Sequence, residues 1–196
     1  MSLRFLGAAA VILACASANA SPCTGHQLLT RARAEGSCLT LKIQTHLAPD
    51  GQLRAIVFPA DVSLSTTPDM ESLVVIRSDK GETLNSKNLS SPRGMNGRYV
   101  VTAKWSPDSQ YLVFSTASSG GHSPWSFPIW VYGRKQNAFV ALSDMMSGAP
   151  TISGDFHFSG VDTLVVSTWR HQGAINDPVP ATVDLNQSFP ASPSSE

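Results

Sequence analysis

"KWSPDSQYLVFST", residues 104–116, is the stretch on which the fold turns. An apolar, β-branched run ends at Trp105, a Ser-Pro-Asp sequence follows, and a second apolar run opens at Tyr111. Ser106 can accept a hydrogen bond at the first position of a turn. Pro107 fixes φ for the second position, and Asp108 tolerates the third. The stretch therefore predicts a hairpin with a five-residue loop between Trp105 and Tyr111. Upstream, Tyr99, Val101, Ala103 and Trp105 alternate with Thr102 and Lys104, which puts the first set on one face of a strand. A strand with one wet face argues for antiparallel pairing.

The same pattern returns on either side. "HLAPDGQLRAIVF" (46–58) places Ala-Pro-Asp-Gly where the first has Ser-Pro-Asp-Ser, and "DFHFSGVDTLVVST" (155–168) places an aromatic and a serine before another turn and strand. Leu47 and Trp105 are 58 residues apart, Trp105 and Phe158 are 53 apart. Between the copies, "LVVIRSDKGETL" (73–84) and "IWVYGRKQNAFVAL" (129–142) each read as a strand, a polar turn and a return, again about 55 residues apart. Further strands are expected over residues 39–46, 53–58, 72–77, 98–105, 111–116, 129–132, 138–142, 155–158, 163–169 and 181–185, because short β-branched and aromatic runs are bounded there by Gly, Pro, Asp and Ser. After residue 36 no stretch holds apolar residues at helical spacing for three turns. The expectation is an all-β, antiparallel fold with one short N-terminal helix.

These turns resemble the TolB-type, WD-like propeller repeat, in which an aromatic-Ser-Pro-Asp-Gly turn precedes an apolar strand in each blade. The resemblance is carried by residues 104–116, 46–58 and 155–168 and covers most of the chain as short motifs. In that family the turn fixes blade geometry, and the propeller serves as a docking platform in the periplasm or on secreted enzymes. The resemblance thus implies an interaction surface and no particular reaction. A closed propeller uses four to eight blades, whereas this chain holds about three such units. Three architectures follow: a partial wheel, a wheel completed by self-association, or a twisted sandwich that reuses the hairpin.

The N-terminus reads as an export signal. One charge, Arg4, precedes an apolar run from Phe5 to Ala14, too short to span a bilayer, and small residues Ala18-Asn19-Ala20 follow. Cleavage before Ser21 leaves a mature chain in the periplasm or outside the cell, and the Ala-rich signal has a bacterial look. "ILAC" (12–15) also resembles a lipobox, which offers lipidation of Cys15 and a membrane-anchored lipoprotein as the alternative. Either route leaves Cys23 and Cys38 as a pair in an oxidising compartment, where a disulfide persists. Between them, Thr24 can cap a short helix whose apolar side is Leu28, Leu29 and Ala32, with Gly36 at its stop. The expected organisation is a signal over residues 1–20, one all-β domain over 21–185 and a disordered tail over 186–196, whose Ser- and Pro-rich composition cannot bury a core.

Charge excludes several functions. Formal net charge is zero and charged residues make up 14% of the chain, so nothing is set to neutralise a phosphate backbone and nucleic-acid binding is disfavoured. The five histidines show no metal-ligand spacing among themselves, and two cysteines fifteen residues apart lack the usual zinc-ligand spacing, so neither a metal nor another cofactor is expected. No Gly-x-Ser-x-Gly nucleophile elbow occurs. Two long loops stand out instead. "STASSGGHSPWSFP" (115–128) and "WRHQGAINDPVP" (169–180) each join a histidine to a tryptophan, and long loops often carry function. His122, Trp125, Trp169, Arg170 and His171 are the candidate residues for gripping an envelope protein or a small ligand. The competing expectation is that Trp125 and Trp169 plug the core. The leading functional expectation is a non-catalytic exported docking domain, and the alternatives are a hydrolase with an unadvertised site and a lipid-anchored envelope component.

Overall fold

The computed structural model describes residues 43–60, 71–91, 96–120, 127–146, 151–169 and 178–189. They form three antiparallel meanders. Sheet 1 contains β1 (Gln44–Leu47), β2 (Leu53–Pro59), β3 (Ser72–Ser78) and β4 (Thr83–Asn88) in that order. Sheet 2 contains β5 (Arg98–Trp105), β6 (Tyr111–Ser118), β7 (Ile129–Gly133) and β8 (Ala138–Ala141). Sheet 3 contains β9 (Thr151–Phe158), β10 (Thr163–Trp169) and β11 (Pro178–Asp184). Two single-turn helices, α1 (Leu142–Met145) and α2 (Leu185–Ser188), follow β8 and β11. The chain is all-β, as its periodicity predicts, and the meanders fit a propeller-like arrangement of blades.

The quoted turn is built as its residues dictate. The Ser106 N–H donates to the Tyr111 carbonyl at 2.8 Å, and the Tyr111 N–H donates to Ser106 Oγ at 2.9 Å. Asp108 Oδ1 accepts from the Gln110 N–H. Ser109 takes the left-handed conformation, φ 64°. Fifty-eight residues earlier the same turn recurs: Ala48 N–H to the Leu53 carbonyl, Asp50 Oδ1 accepting from the Gln52 N–H, and Gly51 at φ 73°. In sheet 3 the loop between Phe158 and Thr163 is one residue shorter and lacks the proline, yet Ser159 N–H still closes on the Thr163 carbonyl at 3.0 Å.

Two cores decide the layering. Leu112 and Phe114 of β6 join Ala55, Val57, Val74 and Ile76 of sheet 1 in one. Tyr111 and Val113 of the same strand join Phe156, Leu164, Val166 and Val183 of sheet 3 in the other. Sheet 2 is therefore covered on both faces, and every residue of β6 from Tyr111 to Ala117 is buried. The three sheets therefore stack face to face, an arrangement that fits a propeller-like or a sandwich fold.

Three expectations need correction or placement. Val101 does not share the inner face with Ala103 and Trp105. A β-bulge between Val100 and Thr102 shifts the phase, so Val100 is buried and Val101 is 47% exposed. The chain does not loosen at Asn186: α2 forms there, its N-terminus capped by Asp184 accepting from the Gln187 N–H, and Phe189 is buried in the sheet 3 core. The signal sequence, Cys15, Cys23, Cys38 and the short helix between the last two lie outside the described residues.

Candidate functional site

The sheets are tied in register at both ends. At the Pro-Asp turns, the Asp50 N–H donates to Ser109 Oγ at 3.0 Å, Arg134 pairs with Asp50, and Tyr111 Oη donates to Asn186 Oδ1 at 2.7 Å. Trp105 adds a bond from its indole N–H to the His46 carbonyl at 2.9 Å. At the opposite end, Glu71 lies just before β3 and is buried. It accepts from the Ser91 N–H at 2.7 Å, Ser91 Oγ at 2.9 Å, the Gly97 N–H at 2.6 Å and Ser119 Oγ at 2.9 Å. Burial raises its pKa, but these four donors outweigh burial and hold the carboxyl below its ordinary value. One carboxylate thus joins the end of sheet 1 to the start and second strand of sheet 2.

This alignment has a consequence for the long connections. Those from β2 to β3, β6 to β7 and β10 to β11 all leave the sheets at the end opposite the Pro-Asp turns. The described ends of two of them lie at β9: Phe127, at the end of the second, lies against Gly154, and Trp169, at the start of the third, pairs with Thr151 and with Pro178. His122, Trp125, Arg170 and His171 lie outside the described residues, and Trp169 is placed by its backbone alone.

A cleft of about 300 Å³ is lined by β5 of sheet 2 and by residues from both faces of β9 in sheet 3. It owes its existence to a disruption of β9. Pairing of β9 with β10 skips from Phe156 opposite Val166 to Ile152 opposite Thr168, so Ser153, Gly154 and Asp155 bulge. Gly154 sits at φ 89°, and a Cβ there would run into the Phe127 side chain at 2.6 Å. Thr102 and Lys104 of β5 form one wall; Asp155, Phe156, His157, Val166 and Ser167 form the other. Lys104 Nζ stands 5.9 Å from the centre of the Phe156 ring. One ammonium, one carboxylate, an imidazole and two hydroxyls around an apolar floor are equipment for recognising a polar ligand or a peptide side chain. His157 is exposed, as expected of a residue pointing out of its strand. Lys104 and Asp155 were not singled out from the sequence; the signal that could have found them is a lone glycine inside a strand pattern, which marks a bulge. Among the described residues no group of three His, Cys, Asp or Glu could hold a metal ion, and no helix is long and apolar enough to cross a membrane.

No protein-family model and no curated protein matches the chain. Among solved structures it is similar to a "putative TolB" from Agrobacterium tumefaciens, at 16% identity and a TM-score of 0.29, over 74% of this chain and 62% of that one. The chain thus matches less than two thirds of that protein's length.

Proposed function

We propose that this protein is an exported docking module that binds an envelope protein or a small polar ligand at the end of its sheets that carries the long connections. The reading is supported by the described ends of two of those connections, Phe127 and Trp169, which lie at β9 beside its bulge. Trp125, His122, Trp169, Arg170 and His171 supply aromatic anchors and charge from the loops, the residue types that carry binding energy at interfaces. Lys104, Asp155 and His157 continue that surface into the cleft. The first twenty residues direct export and are removed before Ser21, or lipid is attached at Cys15, and Cys23 and Cys38 pair in the oxidising compartment beyond.

The test is mild cross-linking of the tagged protein in its native envelope, followed by affinity capture of the wild type, of Trp125→Ala/Trp169→Ala and of Lys104→Glu/Asp155→Lys. A stoichiometric partner retained by the wild type and lost by both variants, at unchanged melting temperature, supports the reading. A partner that binds all three equally, or a melting temperature that collapses in the tryptophan variant, refutes it.

A further inference from the structure

Two like charges stand opposite each other on the outer face of sheet 1. Arg54 of β2 and Arg77 of β3 are directly paired in register, so their side chains leave the same face of the sheet. It is the face away from sheet 2, because the adjacent Ala55 and Ile76 point the other way, into the core shared with β6. Like charges placed directly across an antiparallel pair repel. Both side chains are nonetheless partly buried.

Among the described residues nothing neutralises the pair. The ion pair found there joins Arg134 to Asp50 and ties sheet 2 to sheet 1. Asp79 and Glu82, on the turn after β3, form none with either arginine. Asp79 Oδ1 accepts from the Lys80 N–H at 2.9 Å, and it is the Asp79 carbonyl that accepts from Arg54 Nη2, at 3.2 Å. The Nε–H groups of both arginines are enclosed and meet no acceptor. An enclosed N–H without an acceptor is rare in folded proteins and calls for a partner.

We propose that Arg54 and Arg77 together bind the phosphate group of a small molecule. A guanidinium is a rigid fork of donors that grips two oxygens at once. A carboxylate, with two oxygens, is filled by one fork, whereas a phosphate has oxygens for both. Its charge also turns the cross-strand repulsion into attraction to a shared centre. Enclosure of the Nε atoms suits a compact group held between the two forks rather than a flat surface laid over them. The pair sits toward the Pro-Asp turn end of sheet 1, at the opposite end from the long connections, so this site is separate from the docking surface.

The experiment titrates inorganic phosphate into the exported protein carrying ¹⁵N-arginine, at fixed ionic strength, with acetate as the control anion. The Nε–H signals of Arg54 and Arg77, assigned by their loss in Arg54→Gln and Arg77→Gln, are expected to shift saturably with phosphate and not with acetate. Thermal unfolding gives a second readout. In acetate each single variant is expected to melt level with the wild type or above it, because one of two repelling charges is gone. In phosphate the melting temperature of the wild type is expected to rise with concentration and that of both variants to stay put. Unshifted signals overturn the proposal. So does a variant that melts lower in acetate, since a carboxylate of the chain itself then pairs with the arginines. Sedimentation with phosphatidylglycerol vesicles that needs both arginines, without a response to free phosphate, also overturns it, because the occupant is then a lipid surface.

Discussion

Glu71 shows how much one side chain can hold. Its carboxylate meets two backbone N–H groups and two hydroxyls contributed by three separate segments. Glu71→Gln keeps the size but turns one oxygen into an NH2 that faces donors, and it removes the charge that strengthens those bonds. We expect a loss of about 1–3 kcal/mol, read by urea unfolding. The pH dependence has a definite sign. The folded carboxyl titrates below its ordinary 4.5, so its stabilisation is fully present above that value and is lost as pH falls through the folded pKa. The wild type should lose stability below about pH 4.5 more steeply than Glu71→Gln; parallel acid-unfolding curves would show that the charge contributes nothing. Gly97 belongs to the same device, since a Cβ on it would fall on the Glu71 carboxylate. Gly97→Ala must move a buried charge or strain the backbone, and we expect it to cost about 1–3 kcal/mol.

At the scale of the element, the Pro-Asp turns were legible from sequence because everything they need is local. Ser106, Asp108 and the left-handed residue at 109 act within five positions of one another, and the copy at 48–52 repeats the aspartate and the left-handed residue, with Ala48 in the place of Ser106. Ser106→Ala removes the acceptor for the buried Tyr111 N–H and a partner of Asp108. It should cost about 1–2 kcal/mol by thermal or urea unfolding, without altering the far-UV spectrum. What was not legible depends on pairing between distant strands. The bulge at Val101 arises only when β5 meets β6, and the cleft only when β9 loses register with β10. Strand β4 was readable just as the return of a turn, because its sequence, TLNSKN, is mostly polar and mostly exposed. The open edges show a common treatment. β1 and β8 are four residues long, β5 and β9 carry bulges, and β11 carries Pro178 and Pro180. A proline offers no donor to an added strand, which blunts an edge. Pro178→Val/Pro180→Val should therefore promote association through β11, seen as light scattering that rises with concentration. Scattering indistinguishable from wild type would mean that the prolines do not guard this edge.

For the whole molecule, the question left by a chain of three blade-like units is whether a second copy completes a wheel. Sheet 2 makes the three sheets one cooperative unit, because β6 sends Leu112 and Phe114 into one core and Tyr111 and Val113 into the other. Its two end faces would have to meet across the seam of a closed six-bladed dimer. One of them is already covered at Phe58 and Val75, and the other presents Asp155, His157 and Thr182 to water. A seam between them would bury a carboxylate without a designated partner, which is costly, while gaining little new apolar contact. The stack is therefore finished at both ends, and the expected species in solution is a monomer. Light scattering coupled to size exclusion should return the mass of one processed chain from micromolar to millimolar protein. A dimer would revive the closed wheel, and Val165→Asp, in the middle of the polar face, would then decide the matter. Loss of the dimer in that variant places the seam on sheet 3, whereas its persistence moves the contact to the inner edge or to the loops.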